Sequence, residues 1–252
     1  MNLKLYNEDK RHSLGAVAME LGKVKYLFVG EAKTYGDNNA QQKMDQEWTT
    51  AIYRGKTDEA VYLTETGFKN DEVGDKRNHG GPEKAVFCYN IEHYDEWTNE
   101  LGQEMHAGAF GENLAVVGLD ESNVCIGDIY QLGEAKIQVS QPRRPCWRPA
   151  RKHRIIDLAL KIENSGRTGW YFRVIEEGRV QAGDGFRLLE RPHPEWSIDA
   201  CNEVMYNQAD NYGLAESLRD VELLAESWQK SLQKRLDGIP ENKEPRVFGP
   251  NK

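Results

Sequence analysis

The stretch Ile129–Ser140, IYQLGEAKIQVS, limits the choice of fold more than any other part of the 252-residue chain. Ala135, Ile137 and Val139 alternate with Lys136, Gln138 and Ser140, the period of a strand with one buried face. Ile129 to Leu132 precedes it across Gly133-Glu134, so the two runs predict a β-hairpin whose second strand feeds Pro142. Thr168 to Val180, TGWYFRVIEEGRV, reads as another hairpin that turns near Glu177-Gly178. From about Val24 to Glu190 short strands are punctuated by Gly, Asn and Asp, with helices predicted near Ile91–Leu101 and Ile155–Glu163. No regular strand–helix alternation is present, and neither GxGxxG nor GxxxxGK[ST] occurs. A Rossmann or P-loop fold is therefore disfavoured, and a closed or strongly bent antiparallel or mixed sheet is expected.

The pattern changes after RPHPEWS. Val221, Leu224, Ala225, Trp228, Leu232 and Leu236 share one helical face, with Asp220 as the expected N-cap and Gly238 just past the end. The boundaries that follow are an N-terminal extension joining the barrel at 1–45, a β-barrel domain at 46–192, a small helical domain at 193–240 and a loosely held tail at 241–252. The N-terminal stretch has charges throughout and no secretory pattern, and no apolar run approaches the roughly 20 residues of a membrane span. Cys88, Cys125, Cys146 and Cys201 are scattered without a CxxC pair, which points to free thiols in a reducing cytoplasm.

Within a chain of net charge −8, the run SQPRRPCWRPARKHR, Ser140–Arg154, holds six cations and no acid. The overall acidity excludes a general nucleic-acid binder but leaves room for a local anion site. Arg143, Arg144 and Arg148 supply a field that favours a thiolate at Cys146, and Pro142 and Pro145 restrict the backbone around it. On the residues alone, a reactive thiolate and a cysteine packed as a small hydrophobe stand equal. Asn78–Tyr89, NHGGPEKAVFCY, offers His79 with the bare backbone of Gly80 and Gly81, suited to an anion or a polar ring, or else to an ordinary tight turn. Asn113 in AFGENL can present a donor and an acceptor to a heterocycle or cap its own loop. Arg54 and Thr64 sit at strand ends, where such groups are commonly solvated.

Taken in order, HGG-P-x-K-A-V, G-E-N-L, G-D-x-Y at Gly127–Tyr130 and S-Q-P-R-x-P-C resemble the MOSC domain, named for the C-terminal domain of molybdenum-cofactor sulfurases. The segment from Ser197 through ESWQKSLQKRL is similar to the three-helix appendage of YiiM-type members, so the resemblance spans roughly Ala51 to Leu236. It implies a mainly β fold with some helix, a MOSC-type β-barrel followed by a small C-terminal helical domain. It also implies molybdenum-cofactor binding with Cys146 as the metal ligand. Arg54, Thr64, His79, Gly80, Gly81, Asn113, Arg143 and Arg144 become the expected cofactor contacts. The implied activity is a detoxifying reduction of small N-hydroxylated compounds, such as hydroxylaminopurine-type base analogues, to amines.

No flavin or nicotinamide fingerprint is visible, so electrons are expected from a separate reductase. Two other readings use the same residues. One is a carrier of the cofactor, or of sulfur on Cys146, without turnover. The other is a cofactor-free thiol enzyme with His79 or His153 as base. The sequence leaves the oligomeric state open, a homodimer included, and gives Arg151 to Arg154 no role.

Overall fold

A computed structural model describes residues 20–76 and 79–252. Most of the N-terminal stretch read for a secretory signal, and Asn78 of the HGG turn, lie outside the described residues. Seven strands close a barrel: β1 (Glu20–Val29), β2 (Val86–Asn90), β3 (Leu114–Val117), β4 (Ile129–Leu132), β5 (Ala135–Pro142), β6 (Trp170–Glu176) and β7 (Gly185–Glu190). Their order around the barrel is β1-β3-β2-β6-β5-β4-β7, and β7 pairs back onto β1, which removes both free edges. Only β2 and β3 run parallel; the crossover that such a pair needs is made by helix α1 (His93–Leu101). The first barrel strand thus comes from the region ahead of residue 46, and Gly55–Thr57 extends the sheet beside its end.

The β4–β5 hairpin forms as expected, with Ala135 opposite Leu132 and Ile137 opposite Tyr130. Ala135, Ile137 and Val139 are fully buried. The second expected hairpin does not form. Strand β6 pairs with β5 along its length and with β2 over Trp170–Phe172, while Gly178–Val180 leaves the corner to pair with Val61–Leu63 in a separate small sheet.

Strand β2 is buried on both faces, and its alternation sorts residues between two cores. Val86 and Cys88 face the barrel interior with Tyr130, Phe172 and Phe186. Phe87 and Tyr89 pack outward with Trp97, Phe110 and Tyr171 under α1, α2 (Trp147–His153) and α3 (Leu158–Ser165).

Past the barrel come α4 (Ile198–Asn202), which runs on into a π-helical turn, α5 (Tyr212–Arg219) and α6 (Glu226–Leu236). The helix expected from Asp220 onward begins later, at Glu226, because Asp220 closes α5 rather than capping a new start. Val221, Leu224 and Ala225 are buried as their spacing demands, but in a turn, because Ala225 donates its N–H to Ser140 O of β5 at 2.9 Å. These helices share the barrel's own core through Ile198, Leu218, Trp228 and Leu232. Trp228, fully buried, also donates from Nε1 to Pro142 O at 3.1 Å, so one side chain adds about 1.5–3 kcal/mol of burial and a bond to the end of β5. The tail is not loose: α7 (Glu244–Val247) and the residues after it pack on α2, with Val247 and Asn251 buried. Among the described residues no helix is long and apolar enough to cross a membrane.

Candidate active site

Strand β5 carries the chain to the site. Beyond Pro142 the Arg143 N–H still bonds Gly169 O at 2.9 Å, and then Pro145 brings Cys146 into extended backbone immediately before α2. Pro149 is tolerated in α2 because it lies in the first turn, where its missing N–H has no helical partner to lose. Cys146 is 7% exposed and borders a cavity of about 490 Å³.

The sulfur lies 3.8 Å from His79 Nε2, and Arg148 Nη1 lies 3.2 Å from the same nitrogen. That nitrogen can serve one of them at a time, as acceptor from Arg148 or as donor to a thiolate. Burial pushes the Cys146 thiol up, but the His79 hydrogen bond and charge, with Arg143 and Arg148, outweigh it and bring the group down to about 6. Burial drives the other three cysteines the opposite way, well up for Cys88 and Cys201 and to about 11 for Cys125. One cysteine of four is thus a thiolate at neutral pH.

The HGG turn forms another part of the wall. Gly81 has φ +82°, and a Cβ there would meet nothing within 4 Å, so its backbone faces open space at the cavity. Phe87, Phe110 and Tyr171 from the outer core supply the apolar lining. The guanidinium of Arg143, 4% exposed, lies 4.9 Å over the Phe87 ring, and its Nη1 has no protein partner.

The remaining expected contacts divide. Arg54 and Asn113 line the cavity but are already occupied. Arg54 grips Asp71 through Nε at 2.6 Å and Nη2 at 2.9 Å, and gives Nη1 to Gly111 O. Asn113 accepts from Phe87 N and donates to Asp71 Oδ2 and Phe28 O, which stitches β1 to β2. Thr64 is outside the wall, its hydroxyl turned to Gly67 O at 2.7 Å. Arg144 also leaves this cavity. It bonds Ser231 and Glu241 and lines a second cavity of about 370 Å³ that shares His79, Cys146 and Arg148 with the first.

His153 bonds Ala109 O at 2.9 Å, leaving His79 as the histidine beside the sulfur. Lys84 and Asp71 were not among the expected site residues, and Arg148 was expected to act on the thiol but not to contact the cofactor. Lys84 is the cation of HGGPEK, and Arg148 follows Cys146 by two positions, so both lay in motifs already singled out. Arg151, Lys152 and Arg154 have structural partners: Arg151 bonds Gln46 O, Lys43 O and Asn251, Lys152 bonds Ile52 O and Gly108 O, and Arg154 pairs with Asp45.

A seven-stranded barrel with its cysteine at the end of an S-Q-P-R-x-P-C strand is the architecture of a MOSC domain, and that family matches residues 75–187. The YiiM-like, 3-alpha helix domain matches residues 196–238. The chain belongs to the YiiM-like MOSC proteins. It is 37% identical over 204 residues to Protein YiiM of Escherichia coli (strain K12), covering 79% of this chain and 91% of that one. It is 44% identical over 190 residues to the uncharacterized protein YflK of Bacillus subtilis (strain 168), 75% of this chain and 86% of the relative. The crystal structure of YiiM from Geobacillus stearothermophilus superposes with a TM-score of 0.71 at 34% identity, over 85% of this chain and 99% of that one. A protein of Gibberella moniliformis (strain M3125 / FGSC 7600) named "Reductase" is 40% identical over 156 residues, 60% of this chain but 28% of its own length.

Proposed function

We propose that the protein is a molybdenum-cofactor oxidoreductase that reduces small N-hydroxylated compounds to amines in the cytoplasm, with electrons from a separate reductase. The observation that carries this reading is the thiolate of Cys146 on the wall of a cavity flanked by Arg143 and Arg148. The donor set fits the cofactor: a soft thiolate suits molybdenum, the partnerless Nη1 of Arg143 suits an anionic group, and the Gly80-Gly81 backbone lets a planar ring approach. When bound, the cofactor supplies the two-electron chemistry that removes oxygen from an N–OH group. Cys146 would ligate it, Arg143 and Arg148 would balance its charge, and Phe87, Phe110 and Tyr171 would keep water from the site. His79 is the group beside the sulfur able to hold or release a proton at Nε2. The fungal relative's name, "Reductase", agrees with this reaction class.

The test is expression in a host that makes the cofactor, followed by molybdenum and pterin analysis and assay of an N-hydroxylated base analogue with a chemical reductant. Amine formation is expected in wild type, with metal content and activity both lost in Cys146→Ser. Firm cofactor binding without amine from any electron supply would replace the reductase reading with a carrier.

A further inference from the structure

The C-terminal segment is built onto the sulfur-bearing turn. Between the end of β5 and the start of α2 the chain passes Arg143, Arg144, Pro145 and Cys146, and Pro142 and Pro145 have no N–H to anchor it. The tail supplies the anchors. Arg246 donates from Nη1 to Pro145 O at 2.7 Å, the carbonyl just before Cys146. Asn251 donates from Nδ2 to Trp147 O at 3.1 Å, the carbonyl of the residue just after it. Glu241 holds Arg144, one position further back.

These anchors are themselves fixed. Arg246 is also bound to the buried Glu163 of α3, and Asn251, 6% exposed, accepts from Arg151 Nε at 2.7 Å. Gly249 lies so close to the Trp147 ring that a Cβ there would stand 2.3 Å from Cδ1. Asn242, Pro245 and Arg246 then form part of the second cavity, whose lining includes Cys146. Such fitted contacts, on both sides of one residue and from a segment distant in sequence, exceed what shielding an apolar surface requires.

We propose that Arg246 and Asn251 are positioning residues: by gripping the carbonyls on either side of Cys146 they hold its sulfur against His79 and Arg148. The inference rests on Cys146 as the cofactor ligand of the proposed function. A turn released from the tail leaves the Pro145 and Trp147 carbonyls without these partners and frees the sulfur to move from its place beside His79.

The experiment is molybdenum and pterin content per chain after dialysis, for full-length protein made in a host that supplies the cofactor, alongside thermal melting and the rate at which iodoacetamide alkylates Cys146 in cofactor-free protein at one fixed pH. Asn251→Ala is expected to hold the cofactor about 10–100-fold more weakly than wild type and to alter the alkylation rate, and a chain ending at Pro240 is expected to retain no cofactor. Arg246→Ala also strands the buried Glu163 carboxylate, so Arg246→Lys is used instead, and it retains most of the wild-type cofactor. Asn251→Ala removes a neutral group while Arg151 keeps three carbonyl partners, so it decides the matter if the shortened chain does not fold. A folded Asn251→Ala protein that melts lower but holds the cofactor and reacts with iodoacetamide as wild type does overturns the proposal. Cofactor lost from Asn251→Ala while wild type binds it and forms no amine leaves the positioning role standing and removes the reductase reading alone.

Discussion

Two walls of the same cavity use charge in opposite ways. On the barrel wall, Arg54 is satisfied by Asp71 and the Gly111 carbonyl, and Asn113 is satisfied by the backbone of two strands and by Asp71. On the turn wall, Arg143 keeps a nitrogen without a partner, and Cys146 and Arg148 compete for one nitrogen of His79. The first arrangement neutralises itself and holds β1 to β2. The second leaves one guanidinium nitrogen unpaired and a sulfur that shares its histidine with Arg148. A cation lining a pocket is therefore weak evidence of ligand binding until its own partners are counted.

The largest expected effect comes from Cys146→Ser, which is predicted to bring amine formation to background while the melting temperature at pH 6 changes little. Substitution of the proposed metal ligand is expected to exceed the roughly 10–100-fold losses typical of residues that merely support ligands. A variant that stays active would assign the chemistry elsewhere on the turn wall. Asp71→Ala tests the other wall. Its side chain and that of Arg54 are 8% and 10% exposed, so the substitution strands a buried guanidinium and is expected to cost about 3–5 kcal/mol in denaturant unfolding. The Cys146 thiol should titrate almost as before. A large shift in the thiol with little loss of stability would show that the two walls are not separate.

Sequence periodicity made the β4–β5 hairpin legible, because alternation and a Gly-containing turn are local signals. The S-Q-P-R-x-P-C run was legible as the surroundings of a thiolate for the same reason, since its cations travel with the cysteine, whereas the place of the HGG turn in the same site came only through the resemblance to the MOSC domain. Pairing choices were not legible. Gly178–Val180 could not be sent to Val61–Leu63, because that partner lies more than 110 residues earlier and nothing local marks the pairing. Nor could the break at Asp220 be seen, since it depends on Ser140, 80 residues earlier, capturing the Ala225 N–H. The partners of Arg54, Arg144 and Arg151 lie at long range too, and a guanidinium reads the same in sequence whether it faces a carboxylate or a cavity.

The smallest effect is a slope with pH, and it belongs to the turn wall alone. Cys146 titrates near 6 in the folded protein against about 8.5 for an ordinary thiol, so its folded value is lowered. Between those values the unfolded chain carries a proton that the folded chain lacks, and stability rises with pH by up to about 1.4 kcal/mol per unit. The contribution is complete above the unfolded value and is lost as pH falls through about 6. Lys152, which burial pushes down to about 8, adds a slope of the same sign at higher pH, because the folded protein resists a proton that the unfolded lysine accepts. Urea unfolding of wild type and Cys146→Ser from pH 6 to 9 separates the two, since Lys152 is common to both proteins and cancels in the difference. The wild-type advantage is expected to grow across that window; a difference that stays flat would mean that Cys146 is an ordinary buried thiol and that both walls of the cavity are only structural.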